Sequence, residues 1–307
     1  MKVEFAKEIN RILAKNQIYR NEPMNRHTTF RIGGPADLYV CPKIDQIAEV
    51  LKLCKFYQVP FHVIGNGSNL LVGDKGVRGL VIEIGKMAEG VVIEHLDREQ
   101  AIITVQAGTL LSKTANTVSE AGLSGMEFAC GIPGTVGGAI AMNAGAYGGE
   151  MKNIVHTVLA LTPEGDTKTL AVGDMDFSYR HSVIASHGYI VLEVALLLQK
   201  ENPELIAHQI ECLKKQRSAK QPLEYPSAGS TFKRPPGFFA GQLIMEAGLS
   251  GYQVGGAQVA EKHCGFVINR GKATAADICH LIEEVKNEVL LRSGVALETE
   301  IKFLGEF

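Results

Sequence analysis

Gly131-Ile132-Pro133-Gly134-Thr135-Val136-Gly137-Gly138-Ala139 is the stretch on which the reading of the fold turns. Four glycines and a proline fall within residues 131–138, with no charge among them. Glycine loses too much backbone entropy and proline lacks an N–H, so the run makes neither a good helix nor a good strand. It suits a loop that brings bare backbone N–H groups up to a ligand. A second loop, Gly65-Asn66-Gly67-Ser68-Asn69, follows the apolar run Phe61-His62-Val63-Ile64. Two such loops point to a phosphate-bearing cofactor held by backbone dipoles. Each alone reads equally well as a structural turn.

The chain around these loops is ordinary for a water-soluble globular protein. Its 307 residues allow two domains, or one large domain with an appendage. The net charge of −2 gives no general field for gathering nucleic acid or anionic lipid. The six cysteines form no C-x-x-C pair and no zinc-ligand set, so free thiols and no metal site are expected. The charged start, Met1-Lys2-Val3-Glu4, is unlike a secretory signal, and the run 189–198 is too short to span a bilayer. A cytoplasmic protein without membrane insertion is expected.

Periodicity predicts a short amphipathic helix over 1–20, with Phe5, Ile9, Ile12 and Leu13 on one face. A strand end running into a turn follows at 29–35, then a strand at 36–40 and a helix bearing Ile44, Ile47, Ala48, Leu51 and Cys54. Strands are expected at 61–64, 70–72, 79–84, 90–94 and 101–107, and a helix over 111–121 stopped by Gly122. Further strands fall at 154–161 and 189–198. Asn202 as N-cap and Pro203 as first helical residue open a helix with Leu205, Ile206, Ile210 and Leu213 inward. A proline-rich irregular segment leads to a strand at 265–269. The helix 274–292 opens with the capping-box pair Thr274 and Asp277 and carries Ile278, Leu281, Ile282, Val285 and Val289 as its core stripe. A last strand, 297–303, carries Glu298 and Glu300 on one face. No clean β-α-β-α alternation appears, so the class is α+β rather than doubly wound.

The glycine loops fit neither common nucleotide motif. A Rossmann G-x-G-x-x-G must open a helix, and a Walker loop needs Gly-Lys-Ser/Thr after its glycines; the chain has neither feature. The two loops instead look like the flavin-binding domain of the vanillyl-alcohol-oxidase type. Five further segments resemble the UDP-N-acetylenolpyruvoylglucosamine reductase family of peptidoglycan synthesis, in its shorter form. They are Thr28-Thr29-Phe30-Arg31-Ile32-Gly33-Gly34, Asn143-Ala144-Gly145-Ala146-Tyr147-Gly148, Tyr179-Arg180-His181-Ser182, Ala228-Gly229-Ser230-Thr231-Phe232-Lys233 and Leu297-Glu298-Thr299-Glu300-Ile301.

The resemblance implies a two-lobed FAD-binding domain over 1–200, with lobes of about 1–75 and 76–200, and a smaller α+β substrate-binding domain over 201–307. It implies FAD and NADPH as cofactors and a nucleotide-sugar substrate whose enolpyruvyl ether becomes a lactyl ether. FAD would be held by Gly65, Asn66, Gly67, Ser68, Asn69, Gly131, Ile132, Gly134, Gly137, Gly138 and Asn143. Arg180 matches the arginine that grips the substrate carboxylate; a fixed guanidinium there favours the transition state, where charge grows on that carboxylate. Glu300 matches the glutamate that works with it, and Ser230 the proton donor. A serine is a poor acid and needs a polarising neighbour such as Lys233. Without the resemblance, Arg180 reads as a surface arginine, Ser230 as a turn serine and Glu300 as a strand-edge carboxylate.

Lys220, Lys233 and His263 are the implied substrate contacts, within a basic cluster that includes Lys214, Lys215, Arg217 and Arg234. Arg234 stands where relatives usually carry asparagine. Cys130 reads as a small buried side chain. Nothing specifies an oligomeric state, and a monomer is compatible with the sequence. Two other readings stay open: another flavin-dependent oxidase or dehydrogenase of the same superfamily, and a nucleotide-binding module without catalysis.

Overall fold

The computed structural model describes residues 3–307. Met1 and Lys2, part of the expected first helix and of the charged N-terminal segment, lie outside the described residues. The chain divides into two compact units, and each is assembled from three pieces. One comprises Met1–Tyr19, Tyr39–Asn66 and Leu80–Arg217; the other comprises Arg20–Leu38, Gly67–Gly79 and Ser218–Phe307.

The first unit is organised by an antiparallel sheet of six strands. Its path runs Thr167–Ala171, Val155–Leu161, Ile190–Lys200, Gln100–Gln106, Val91–His95, and Leu123–Ser124 joins the end of Ile190–Lys200. The expected strand at 189–198 is its centre. Val158, Val194 and Val105 lie opposite one another across three neighbouring strands, and all are 0% exposed. Such a β-branched cross-strand row suits a pleated, buried face. Phe61–Ile64 lies parallel to residues 80–83, from Phe61 opposite Leu80 to Ile64 opposite Glu83. That pairing delivers Gly65 at the strand's end.

Two expectations fail here for physical reasons. The first helix spans only Val3–Ile12, because Ile18 opens the strand Ile18–Pro23; Phe5, Ile9 and Leu13 are buried as expected. The glycine run also contains the start of a helix, Val136–Ala141, which passes through Gly137 and Gly138. Thr135 caps it by accepting the Gly138 N–H at 3.3 Å. The missing side chain at 137 matters, since a Cβ there would lie 3.0 Å from Ala107 Cβ. Tertiary packing of this one short helix overrides the low propensity of glycine.

The second unit packs the strands Ser227–Ser230, Phe266–Asn269, Ala257–Val259 and Gln253–Val254, antiparallel in that order, against the helices Ala240–Glu246 and Ala275–Ser293. The predicted stripe of the long helix is buried throughout, and Gly294 ends it in the left-handed region. Phe30, Ile32 and Leu71 enter the same core from far upstream. Lys302–Leu304 completes the unit by pairing in parallel with Leu70–Val72. The expected strand at 297–303 is therefore regular only at its end; upstream, Thr299 makes an isolated bridge to Phe232. In the helix Pro203–Lys220, Asn202 Oδ1 accepts the Glu204 N–H at 2.9 Å, as its cap role predicts. Ile206 and Ile210 are buried, but Leu205 is 59% exposed, because one residue of helical advance rotates it off the inward face.

The long helix is capped twice. Thr274 Oγ1 accepts from Asp277 N and Asp277 Oδ2 from Thr274 N, both at 3.0 Å. Asp74, some two hundred residues upstream, accepts from Ala275 N at 2.8 Å and Ala276 N at 3.0 Å. Its carboxylate satisfies two N–H groups of the first turn and complements the helix dipole. Asp74→Ala is expected to cost about 1 kcal/mol, lowering Tm in a thermal melt by roughly 2 °C. An unchanged Tm would mean that the Thr274–Asp277 box suffices alone.

Candidate active site

The two glycine loops meet in the first unit. A Cβ on Gly65 would collide with Thr135 Oγ1, so glycine lets the loop approach. Asn66 Nδ2 donates to Pro133 O at 2.6 Å, which ties the second loop to the first. Part of the backbone is already committed, however. Val136 N donates to Thr109 O and Gly137 N to Ala107 O, both at 2.8 Å, while Ile132 N bonds Ala129 O at 3.0 Å. Gly137 and Gly138 thus serve first as close-packing and capping positions.

Among the basic cluster, Arg217 is the residue turned onto these loops. A Cβ on Gly131 would lie 2.6 Å from its Cδ and 3.1 Å from its Nε. Burial pulls its pKa down, and the groups bearing on its charge are Tyr147 and Cys130 rather than a carboxylate. Burial pushes the Cys130 thiol up, with Lys214 and Arg217 acting against that shift. Lys215, by contrast, is spent on Glu211 at 2.7 Å. Converging glycine loops and a half-buried guanidinium suit a pyrophosphate, so the residues present fit the cofactor that the sequence pattern implies.

Arg180 also lies in the first unit, on a tight turn. Ser178 N donates to His181 O at 3.3 Å and His181 N to Ser178 O at 3.1 Å, leaving Arg180 with φ +56°. Its guanidinium carbon sits 5.1 Å from the Tyr179 ring centroid. Asn143, expected to bind cofactor, is 1% exposed and bonds into this turn.

The second unit brings together Ser230, Lys233, Glu300 and Asn69. Glu300 N donates to Thr231 O, and Lys233 N to Glu298 O, both at 2.8 Å, so residues 230–233 and 298–300 run side by side. Asn69 Nδ2 reaches Glu300 O at 3.1 Å, and Lys302 N reaches Asn69 O at 2.9 Å. Gly67, at φ +61°, leaves no room for a side chain, since a Cβ would meet His27 O. Ser230 follows a bulge. It pairs with Phe266 while Ser227 pairs with Ile268, and the extra residue is absorbed around Gly229 at φ +76°. Bulges of this kind re-aim the next side chain.

One detail of the sequence reading changes. Glu298 and Glu300 do not share a face: Glu298 is a surface carboxylate paired with Lys233 Nζ at 3.0 Å, whereas Glu300 is 9% exposed. His263 packs edge-on against Phe266, the cross-strand partner of Ser230, at 4.9 Å between ring centroids. Its Nδ1 accepts the Gly265 N–H at 3.2 Å. Arg234 stacks 3.9 Å from the Phe239 ring centroid.

Residues 35–171 match the FAD binding domain family, and residues 221–304 match the C-terminal domain of UDP-N-acetylenolpyruvoylglucosamine reductase. The UDP-N-acetylenolpyruvoylglucosamine reductase of Agathobacter rectalis is 51% identical over 100% of both chains. The chain belongs to this reductase family. The crystal structure of the Thermus caldophilus reductase superposes with a TM-score of 0.76 at 34% identity, covering 92% of this chain and 97% of the other. An alkyldihydroxyacetonephosphate synthase shares the fold at a TM-score of 0.50 and 18% identity, over 65% of this chain and 41% of its own. The α+β architecture is thus that of the vanillyl-alcohol-oxidase-type FAD-binding proteins, with the reductase family's smaller domain after it. Among the described residues, no helix is long and apolar enough to cross a membrane.

Burial lowers the His263 pKa, and Lys220 lowers it further. A histidine depressed in the folded state binds its proton more readily when unfolded. Its contribution to stability is complete above the ordinary value of 6.5 and is lost as pH falls below it. His263→Asn should flatten Tm against pH on the acid side of neutrality. A profile parallel to the parent's would remove His263 from that pH dependence.

Proposed function

We propose that this chain reduces the enolpyruvyl ether of UDP-N-acetylglucosamine enolpyruvate to the lactyl ether of UDP-N-acetylmuramate, using NADPH. The observation that supports this best is the 51% identity, over 100% of both chains, to a reductase of the UDP-N-acetylenolpyruvoylglucosamine family. The setting is peptidoglycan synthesis in the cytoplasm, and through it cell-wall biogenesis, cell shape and division. We assign FAD binding to the first 200 residues with the addition of Arg217, and nucleotide-sugar binding to the remainder of 201–307.

Bound FAD supplies the redox chemistry, taking two electrons from NADPH and passing them to the enolpyruvyl double bond. The loops at 65–66 and 131–135 hold the pyrophosphate, and Arg217 contributes its positive charge. Arg180 binds the substrate carboxylate and stabilises the negative charge that grows there during reduction. Ser230 gives its hydroxyl proton to the carbon bearing that carboxylate. Glu300 has its main chain fixed by Thr231 and Asn69, and it holds the enediol-like form through a hydrogen bond. Lys220 and His263 bind the nucleotide-sugar, and Lys233 reaches it where its pairing with Glu298 yields.

Anaerobic addition of NADPH should bleach the flavin band, and UDP-N-acetylglucosamine enolpyruvate should restore it. A band restored only by air would sink this reading in favour of an oxidase. Ser230→Ala should leave reduction by NADPH near the parent rate and slow reoxidation by the enolpyruvyl substrate at least about a hundredfold, the scale of a general acid. Equal losses in both steps would remove it from proton transfer. Arg217→Met should weaken FAD retention about tenfold, as expected for one charged hydrogen bond; FAD titration of the stripped protein measures this directly.

A further inference from the structure

We propose that Asn143 is the positioning residue of Arg180 rather than a cofactor ligand, an inference that rests on Arg180 binding the substrate carboxylate. A primary amide has two donor hydrogens. Asn143 Nδ2 gives them to Glu150 Oε2 at 2.8 Å and to Ser178 O at 3.2 Å. Its Oδ1 accepts the Lys152 N–H at 3.0 Å. The orientation of the amide is fixed by chemistry, because the reverse would set its oxygen against a carboxylate and a carbonyl. With the side chain 1% exposed, no donor is left over for a ligand.

The bond to Ser178 matters because Ser178 and His181 close the turn that carries Arg180. Ser178 O accepts both the His181 N–H and the Asn143 amide. Arg180 adopts φ +56°, a conformation that a residue with a side chain holds only where its surroundings enforce it. Asn143 itself sits at φ +44°, a region that asparagine tolerates better than most residues. From the other side, Ser182 Oγ donates to Ala141 O at 2.9 Å, and Val183 N to Met175 O at 2.8 Å. The segment just after the flavin loop is thereby stitched to the Arg180 turn at residues 141 and 143. Lys152 Nζ pairs with Glu150 Oε1 at 2.6 Å and holds the other acceptor of the Asn143 amide in place.

Two substitutions test this. Asn143→Asp keeps the tolerance for positive φ and the acceptor for Lys152, but sets an oxygen against Glu150 and Ser178 O. Asn143→Gly keeps the backbone conformation, removes the side chain without adding charge, and carries the test alone where the aspartate variant fails to fold. Four quantities are measured on each: flavin content, the rate of flavin reduction by NADPH, calorimetric affinity of the oxidised protein for UDP-N-acetylglucosamine enolpyruvate, and the rate of reoxidation by it. Flavin content and the NADPH step should stay within about twofold, while affinity weakens about tenfold and reoxidation slows about a hundredfold, as for an ångström-scale misplacement. Loss of flavin, or equal falls in both steps, would overturn the proposal in favour of a cofactor or general folding role. Parent-like affinity and reoxidation would overturn it as well. A parent protein that the enolpyruvyl substrate fails to reoxidise would instead sink the reading of Arg180 on which the proposal stands.

Discussion

The empty space at residue 65 is the constraint on which the first unit depends. Thr135 Oγ1 occupies the volume that any Cβ at that position would need, and the same oxygen caps the helix Val136–Ala141. One missing side chain therefore lets a strand end, a capping hydroxyl and a second loop share one corner. The amide of Asn66 then closes the corner onto Pro133 O. The two loops are consequently one structure. Backbone N–H groups committed within it give rigidity, which a cofactor cradle needs as much as it needs free donors.

Rigidity reappears where the reacting side chains are expected, but by different means. Arg180 is enforced by a turn with left-handed backbone and by a buried amide behind it. Ser230 is aimed by a bulge in an edge strand, and Glu300 by a main-chain ladder with Thr231 and the amide of Asn69. For Arg180 and Glu300 the segment carrying the proposed side chain is held by an asparagine amide bonded to backbone. This is the arrangement that preorganised catalysis calls for, since an unsupported side chain reaches the right place too rarely.

Much of this was legible in the sequence where a local rule dictates it. The Thr274–Asp277 box, the Asn202 cap, Gly122 and Gly294 as helix stops, and the buried stripe of the last helix all follow from spacing alone. Gly137 and Gly138 misled because glycine propensity was weighed without the packing of Ala107 against Gly137 and the Thr135 cap on Gly138. Leu205 misled because a single residue of helical phase separates inside from outside. The Glu298 and Glu300 pair misled because alternation was assumed along a segment that is not a regular strand. The reacting residues were never legible from chemistry alone: a serine after glycine reads as a turn, and only the ordered set of motifs gave it a role. Asn143 was visible as part of a glycine-rich segment, but its bond to Ser178 O spans 35 residues and needed coordinates.

The parallel pairing of Lys302–Leu304 with Leu70–Val72 carries a consequence for biosynthesis. More than two hundred residues emerge from the ribosome between the two strands, at roughly 5–20 residues per second. For that interval, on the order of ten seconds or more, Leu70–Val72 has no strand to pair with along that edge, while Phe30, Ile32 and Leu71 have no core to enter. The nascent chain thus carries sticky apolar segments long before their partners exist. Folding of the second unit is tied to the synthesis of residues 302–304, and products that stop short of them are natural clients for chaperones and proteases.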